Sequence, residues 1–425
     1  MKLKLDTVLA VVLIAYFILH YGLIPRTTPY WLFAIIFAGL IVFGFLDTLK
    51  LKENIYGKFK NITLWSLIGI TIVSAFTSEI VLRHESLPTF RVHDIIIQQE
   101  YAIKYLISGK NPYATTYFGT PLEQWFYSGS EKNPALYHFV MEPFYLLFAL
   151  PFYVASGRIL GFFDGRIPLL FLLFSILAFI QKLNLDGEKK RAFMVLLAFN
   201  PLTLPYALEG RSDFFMFAFL FAALYFLHKN KLYISSGLLA LAFAVKQSAW
   251  PIFPLWLAYL WFRNKNREEV FKAVGVFFVV FAAITLPFFL WNPKAFIDST
   301  ILYLSGNTAH SYPINGYGFG MVLNQVGIIK NLHDKFPFII FQFAFALPLI
   351  VILVRVLKKN LQVRTLIIFY SLLLFVFWYF SRYFNNSHIA YITTVVTTAY
   401  FWPFDSAHTE RSRSAQGKPY ENKRN

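Results

Sequence analysis

Long apolar runs constrain this chain more than any other feature of its sequence. The runs lie near residues 7–24, 30–47, 63–82, 191–208, 213–228, 232–246, 249–262, 270–290, 336–356, 362–380 and 388–404. Hydrocarbon offers no water to backbone N–H and C=O groups, so only helices and closed barrels can span it. These runs are too long and too uniformly apolar for barrel strands. The sequence therefore predicts an all-α polytopic membrane protein.

The composition favours the same class of protein. Hydrophobic residues make up 57% of the 425 residues and charged residues only 14%, which is far from the balance of a water-soluble globule. The net charge of +17 predicts basic cytoplasmic loops and membrane-lipid contacts, and no nucleic-acid partner. Cysteine is absent, which excludes disulfides, thiol nucleophiles and cysteine-ligated metals.

Clusters of Lys and Arg predict the orientation of the spans. They lie at Lys2 and Lys4, residues 50–60, residues 182–191, Lys229 and Lys231, residues 263–267, residues 355–364 and the C-terminal tail. Placing all of them in the cytoplasm gives a consistent alternation from residue 191 onward, with both termini inside. Between residues 136 and 182 the number of crossings must then be one or three, so we expect 12 or 14 spans.

The same alternation places five polar segments on the opposite face. They are a large first exterior loop (84–135), the 209–213 turn, Lys246, a second exterior loop (291–335) and the 381–387 turn. We expect one transmembrane domain over 1–405, followed by a disordered basic cytoplasmic tail over 406–425. No repeat of inverted or parallel halves stands out, which argues against a duplicated transporter.

The first loop begins with an amphipathic segment. Its apolar residues between Ile95 and Ile107 predict a helix lying in the membrane interface, with Asp94 in its first turn. Asp94 has two possible roles. It could cap the helix, or it could be a general base where a lipid-borne donor meets an acceptor hydroxyl. His93 beside it is a weak hint of metal binding, and no further spacing supports a metal site.

Three other charged positions are functional candidates because charges at the mouths of spans are unfavourable unless they pair or bind a ligand. The turn from Glu209 to Asp213 holds Arg211, which could instead pair with Asp213. Lys246 ends an apolar span and either snorkels to the interface or meets a phosphate. Arg382 defies the positive bias, so it either binds an anion or pairs with a loop carboxylate.

The second exterior loop contains His310 and a glycine-rich run from Asn315 to Gly320. The run is too irregular for a phosphate-binding glycine loop. We therefore expect this loop to be a flexible lid.

Several of these motifs together resemble the C-type glycosyltransferase superfamily. An aspartate in the first exterior loop, followed by Gly109-Lys110-Asn111-Pro112-Tyr113, resembles family 87, the polyprenyl-phosphate-mannose-dependent mannosyltransferases. Asn200-Pro201 before the 209–213 turn and the glycine-led span 237–246 are similar to the same family. The resemblance covers roughly residues 85–260. Asn133-Pro134-Ala135-Leu136-Tyr137 only approximates the family's Tyr-Pro-Pro motif, and the C-terminal third matches in architecture alone.

The resemblance implies a bundle of about 12 to 14 transmembrane helices in a prokaryotic cell membrane. It implies transfer of a hexose, mannose by analogy, from a polyprenyl-phosphate donor to a lipid or glycan acceptor on the non-cytoplasmic face, with inversion. Asp94 would be the general base, and a monophosphate donor requires no divalent cation or other cofactor. The donor phosphate would be held by Lys246, Arg382 and Arg211. Substrate contacts would come from His93, Glu209, Asp213, Tyr113, Asn111 and His310.

Two other classes of protein are compatible with the same residues. A polytopic transporter or a lipid or glycan flippase would also place charges in the membrane, although along a pathway. A non-catalytic subunit of an envelope-assembly complex would tolerate the loss of Asp94.

Overall fold

The structure is a computed structural model that describes residues 3–21, 29–129 and 131–404. The fold is mostly helical, as the sequence predicts. The predicted tail over 406–425 lies outside the described residues. The helices are α1 (Leu5–Tyr21), α2 (Tyr30–Phe45), α3 (Glu53–Glu85), α4 (Asp94–Ile107), α5 (Phe144–Ile159), α6 (Arg166–Gln181), α7 (Gly187–Ala198), α8 (Leu204–Leu208), α9 (Asp213–His228), α10 (Leu232–Phe243), α11 (Phe253–Arg263), α12 (Arg267–Trp291), α13 (Pro293–Ile297), α14 (Tyr303–Ser305), α15 (Phe319–Gln325), α16 (Phe338–Lys359), α17 (Val363–Tyr379) and α18 (Asn386–Phe401).

Within the described residues, four helical segments are long and apolar enough to cross a membrane. They are Tyr30–Thr48, which extends α2 by a 3-10 turn, and α3, α12 and α16. The outer faces of α12 and α16 leave large apolar side chains such as Val279, Leu290 and Ile340 exposed. Such surfaces suit lipid better than water. Helices α1, α5, α6, α9, α10 and α17 are apolar but shorter.

Proline and loop chemistry shorten three of the predicted spans. The run 191–208 is not one helix, because α7 ends at Ala198 and a turn at Asn200-Pro201 separates it from α8. Proline lacks an N–H group and disfavours helical geometry in the residue before it. The run 249–262 begins as a 3-10 helix, Gln247–Ile252, before α11. Helix α10 ends at Phe243, and Lys246 is extended.

Two helices, α5 and α6, occupy residues 136–182. The first turn of α5 lies beside the start of α9, with the Tyr145 and Phe215 rings 4.8 Å apart. The far end of α5 returns to the start of α6, where Tyr153 meets Phe163 at 5.4 Å. Helix α5 therefore lies across one end of the bundle, while α6 runs parallel to α9. Residues 136–182 therefore contain two α-helices, not three.

The loops at this end contain short strands and helices. Strands β1 (Phe126–Ser128) and β2 (Glu131–Lys132) are antiparallel. Strand β3 (Asn315–Gly316) pairs in parallel with β4 (Tyr383–Phe384) and joins the second loop to the turn before α18. The segment 291–335 also contains α13, α14 and α15, so it is folded rather than irregular, and its expected role as a lid stays a prediction.

Candidate functional site

A cavity of about 1290 Å³ opens among the loops at the α4 end of the bundle. Its wall comes from the start of α4, the α8–α9 turn, the segment around Lys246, the folded second loop, α16, α17 and the turn before α18. Six residues singled out from the sequence line it: His93, Asp94, Arg211, Asp213, Lys246 and Arg382. Glu209, Asn111, Tyr113 and His310 are not part of its lining.

Helix α4 is held by buried polar contacts on several sides. Arg83 forms a two-point ion pair with Glu100, at 2.7 and 2.8 Å, and also contacts Asp164 at 2.8 Å. Gln98 donates to the carbonyls of Ala135 and His138 at 2.6 and 2.7 Å. The helix is therefore embedded among loops, and its polar residues Gln98, Gln99 and Glu100 are buried. These contacts fix the position of Asp94.

Asp94 is bonded through both carboxylate oxygens. Its Oδ1 lies 2.6 Å from Nδ1 of His93, and its Oδ2 accepts a hydrogen bond of 2.7 Å from the Asn133 amide. Burial by itself would raise the pKa of Asp94, but His93, Asn133 and Arg211 outweigh it and hold that pKa at about 2. The carboxylate bonds to side chains rather than to the first N–H groups of α4, so the capping role is not the one observed.

Lys246 and Asp213 form an ion pair at the edge of the cavity. Lys246 Nζ lies 2.7 Å from Asp213 Oδ1. The two residues before Lys246 accept backbone hydrogen bonds. Glu142 N donates to Val245 O, and Phe144 N donates to Ala244 O. Lys246 is thus a fixed and paired cation, not a lysine that snorkels freely.

Arg211 pairs with Glu209 instead of Asp213. The Arg211 Nε to Glu209 Oε2 distance is 3.2 Å, and the guanidinium lies 4.5 Å from the centre of the Tyr206 ring. The expected Arg211–Asp213 pair is replaced because Lys246 occupies Asp213. Glu209 therefore serves as a partner of Arg211 beside the cavity, and its contact with substrate stays a prediction.

Arg382 is bonded to backbone carbonyls of the second exterior loop. It is buried and donates to the backbone carbonyls of Tyr312, Asp334 and Leu332, the last two at 2.8 and 3.3 Å. Neither an anion nor a loop carboxylate is needed to satisfy it. Arg382 borders the cavity while its guanidinium holds the second loop, and its contact with the donor phosphate stays a prediction.

Three predicted substrate contacts are also structural. Asn111 accepts from Tyr113 N at 2.9 Å, which closes the Asn-Pro-Tyr turn. The Tyr113 hydroxyl is buried and donates to Met141 O at 2.8 Å. His310 stacks on Tyr137 with ring centres 3.6 Å apart, away from the cavity lining. Asn111 and Tyr113 thus shape the first loop and His310 packs against it from the second loop, and their contact with substrate stays a prediction.

Gly210 allows the α8–α9 turn to approach α4. Its φ of +88° lies in the left-handed region, and an added Cβ would come within 2.3 Å of Ile96. Only glycine fits there without moving α4. The glycine thus places Arg211 and Asp213 opposite Asp94.

Sequence reasoning missed several residues of the site. Asn133 lies 39 residues from Asp94 in the chain and has no local motif that marks it as a partner. Gln247 donates to Val140 O, Glu142 Oε1 and Thr300 O at 3.0 to 3.1 Å, tying three segments together beneath Lys246. Glu142 is buried with one oxygen unbonded, and burial raises its pKa to about 8.

The cavity has a charged part and an apolar part. Four basic residues line it, Arg211, Lys246, Lys335 and Arg382, against the two carboxylates Asp94 and Asp213. The balance suits an anion. In the part of the chain that the structure describes, no group of three or more His, Asp or Glu side chains is placed to hold a metal ion.

The chain was compared with family models, with curated proteins and with solved structures, and none matches it.

Proposed function

We propose that this protein is a membrane hexosyltransferase of the C-type kind. It would move a hexose, mannose by the family resemblance, from a polyprenyl-phosphate donor to a lipid or glycan acceptor, with inversion. One observation carries the proposal. A single cavity joins a His93–Asp94 pair, fixed cations and an apolar groove. These are the three elements that a sugar joined to a long lipid through a phosphate requires.

The apolar groove supports a lipid-linked donor. Ile339, Phe343, Ala346 and Ile350 repeat at helical spacing on one face of α16 and border the cavity. The lining also includes Leu373, Leu374 and Phe377 of α17, Trp250 and Pro251 before α11, and Pro254 in the first turn of α11. A groove lined by apolar side chains of candidate spans offers an isoprenoid chain surroundings as apolar as the lipid tails around it.

The fixed cations support a phosphate leaving group. When the bond between the anomeric carbon and the phosphate oxygen breaks, the phosphodiester becomes a monoester and gains negative charge. Preorganised cations stabilise charge that develops in a transition state. Lys246 is held by Asp213 and Arg211 by Glu209, so neither must reorganise as the charge appears.

The mouth of the cavity supports an uncharged, hydroxylated acceptor. Its loops contribute the aromatic rings of Trp125, Tyr312 and Tyr383 and the amides of Asn307 and Asn386. Aromatic faces pack on the C–H faces of sugars and amides bond to hydroxyls, so this lining favours a glycan over a bare lipid. The acceptor hydroxyl would lose its proton at the His93–Asp94 pair.

A flippase is the main alternative, and the distribution of charge argues against it. At the other end of the bundle, Lys60 contacts Asp47 at 2.9 Å and Arg191 contacts Asp6, and all four side chains are buried. These charges neutralise one another inside the packed helices α1, α2, α3 and α7. They do not line the cavity, whereas a pathway would present polar groups along its length.

We propose twelve spans for this bundle, with α5 lying in the interface. The spans would be α1, α2, α3, α6, α7 with α8, α9, α10, α11, α12, α16, α17 and α18. Both termini would then lie in the cytoplasm of a prokaryotic cell, and the cavity would open on the opposite face.

Purified protein incubated with radiolabelled polyprenyl-phosphate hexoses and an acceptor extract tests the proposal. We expect transfer by the wild type and a loss of at least about a hundredfold in Asp94→Asn. Asp186→Asn is the matched control, because this exposed aspartate caps α7 and asparagine caps equally well. Absence of transfer with every hexose donor and acceptor would refute the enzyme, and donor-independent lipid translocation by the same protein would favour the flippase.

A further inference from the structure

We infer that His93, rather than Asp94, takes the proton of the acceptor hydroxyl, and that Asp94 positions the His93 ring. The inference rests on the proposed transferase function. It assigns to His93 the role of general base and to Asp94 the role of a positioning residue.

The contact between the two side chains defines which ring nitrogen carries the proton. Nδ1 of His93 lies 2.6 Å from Asp94 Oδ1, and two atoms with lone pairs approach this closely only with a proton between them. Nδ1 also lies 3.3 Å from Ile95 N, but a protonated Nδ1 cannot accept that N–H. The shorter contact decides the tautomer, so Nδ1 donates to Asp94.

Asp94 is poorly placed to receive a proton directly. Its two oxygens are already bonded to His93 and Asn133, and only 8% of its side chain is exposed. Its pKa of about 2 makes it a weak base. The bonds that hold Asp94 are instead those expected of a carboxylate that orients an imidazole.

His93 is better placed to meet the acceptor. Its side chain is 23% exposed, lines the cavity and lies with its ring centre 6.0 Å from that of Trp125. Among the residues that the structure describes, Nε2 has no hydrogen-bond partner. With the proton on Nδ1, the Nε2 lone pair is available to an acceptor bound in the cavity.

The chemical step balances without a cofactor. The acceptor O–H proton passes to Nε2, and the oxygen forms a bond to the anomeric carbon. The bond between that carbon and the phosphate oxygen breaks, and its electron pair leaves with polyprenyl phosphate. His93 becomes an imidazolium that the adjacent carboxylate of Asp94 stabilises.

The charge around the pair sets how it responds to pH. Arg211 faces it from the α8–α9 turn, and Tyr127, Tyr303, Tyr312 and Tyr383 approach Asp94 from the loops. Burial raises the pKa of each of these tyrosines, so they stay neutral. The tyrosines therefore add no charge beside the pair, and Arg211 is the cation that faces it.

Nitrogen NMR of histidine-labelled protein tests the tautomer without any donor. We expect a protonated Nδ1 and an unprotonated Nε2 for His93, assigned by the loss of its signals in His93→Gln. Asp94→Asn should abolish this fixed tautomer. A resting ring protonated on Nε2 would overturn the inference, whether or not transfer is observed.

Transfer kinetics test the role. His93→Gln should lower kcat/KM at least about a hundredfold and remove the loss of activity on acidification. Added imidazole should restore part of the activity of His93→Ala but not of Asp94→Ala. His333→Gln is the control, because His333 is exposed and pairs with Glu131. Near wild-type kcat/KM in His93→Gln would make Asp94 itself the base. Absence of transfer in the wild type would refute the proposed function. The NMR experiment tests the tautomer of His93 independently of transfer.

Discussion

Lys246 Nζ and Asp213 Oδ1 lie 2.7 Å apart and join the end of α10 to the start of α9 across 33 residues. The pair is largely buried at the edge of the cavity. The pair neutralises two charges in an otherwise apolar region. Because Asp213 is bonded to Lys246, Arg211 pairs with Glu209 instead. Removing one partner and removing both should therefore have different consequences.

Lys246→Met should destabilise the protein more than the double variant Lys246→Met with Asp213→Asn. The single change leaves a buried carboxylate without its cation, which costs about 3–5 kcal/mol in comparable pairs, whereas the double change removes both charges. Thermal unfolding in detergent measures the difference. If Lys246 also stabilises the leaving phosphate, transfer stays low in both variants. Equal unfolding temperatures in the two would show that the ion pair contributes nothing.

Gly210→Ala should disturb the start of α4, because the added Cβ would contact Ile96. An added Cβ would meet Ile96 at 2.3 Å, in a backbone conformation that alanine disfavours. We expect a loss of about 1–3 kcal/mol in the free energy of unfolding, with a matching loss of transfer activity. Gly57→Ala is the control, because nothing lies within 4 Å of its added Cβ and the residue is helical. Equal unfolding temperatures for both variants would contradict this role of Gly210.

Arg382→Gln should lower thermal stability without weakening phosphate binding. The guanidinium satisfies three loop carbonyls, and glutamine cannot reach all of them. Inhibition of transfer by free polyprenyl phosphate measures affinity for the leaving group. An unchanged inhibition constant with a lowered unfolding temperature is expected. A large rise in that constant at unchanged stability would return Arg382 to the phosphate site.

Glu142 should make stability depend on pH between about 4.5 and about 8. Its pKa rises from 4.5 to about 8 on folding because burial disfavours the carboxylate. The folded state therefore binds the extra proton between these values, and stability falls as pH rises toward about 8. Glu142→Gln should remove this slope, while Glu123→Gln, at a half-exposed site, should keep it. Parallel pH profiles of the unfolding temperature for wild type and Glu142→Gln would exclude the effect.

The cysteine-free chain allows the sidedness of the cavity to be measured directly. Tyr317→Cys places a thiol on an exposed residue at the cavity mouth, and Lys58→Cys places one near the opposite end of α3. An impermeant maleimide added to intact cells should label the first and spare the second. The reverse pattern would place the cavity in the cytoplasm and contradict the proposed topology.

The start of α4 illustrates how far sequence reasoning reached. Its apolar periodicity predicted a helix from Ile95 to Ile107 with Asp94 in the first turn, and the structure has this helix. An interfacial helix would turn its polar residues toward water, yet Gln98 and Gln99 are buried. A loop that folds over a helix on all sides leaves no periodic signature.

For the charged candidates, the sequence likewise indicated the residues but not their partners. Arg211, Lys246 and Arg382 were recognisable as unusual, since basic residues at these positions oppose the topological pattern. Their partners were not recognisable from the sequence. Arg211 pairs with Glu209 rather than Asp213, Lys246 pairs with Asp213, and Arg382 donates to backbone carbonyls. Asn133 bonds to Asp94 from a segment far along the chain.

The sequence by itself determined the apolar helices, the mostly helical fold and the position of Asp94 at a helix start. These depend on hydrophobicity and on periodicities of a few residues, which neighbouring positions encode. Only the tertiary structure decided which residues share the cavity, which cations are paired, and that His93 lies between Asp94 and open space. Those outcomes depend on how distant loops pack together, because a hydrogen bond or an ion pair forms with whichever group the fold brings within about 3 Å.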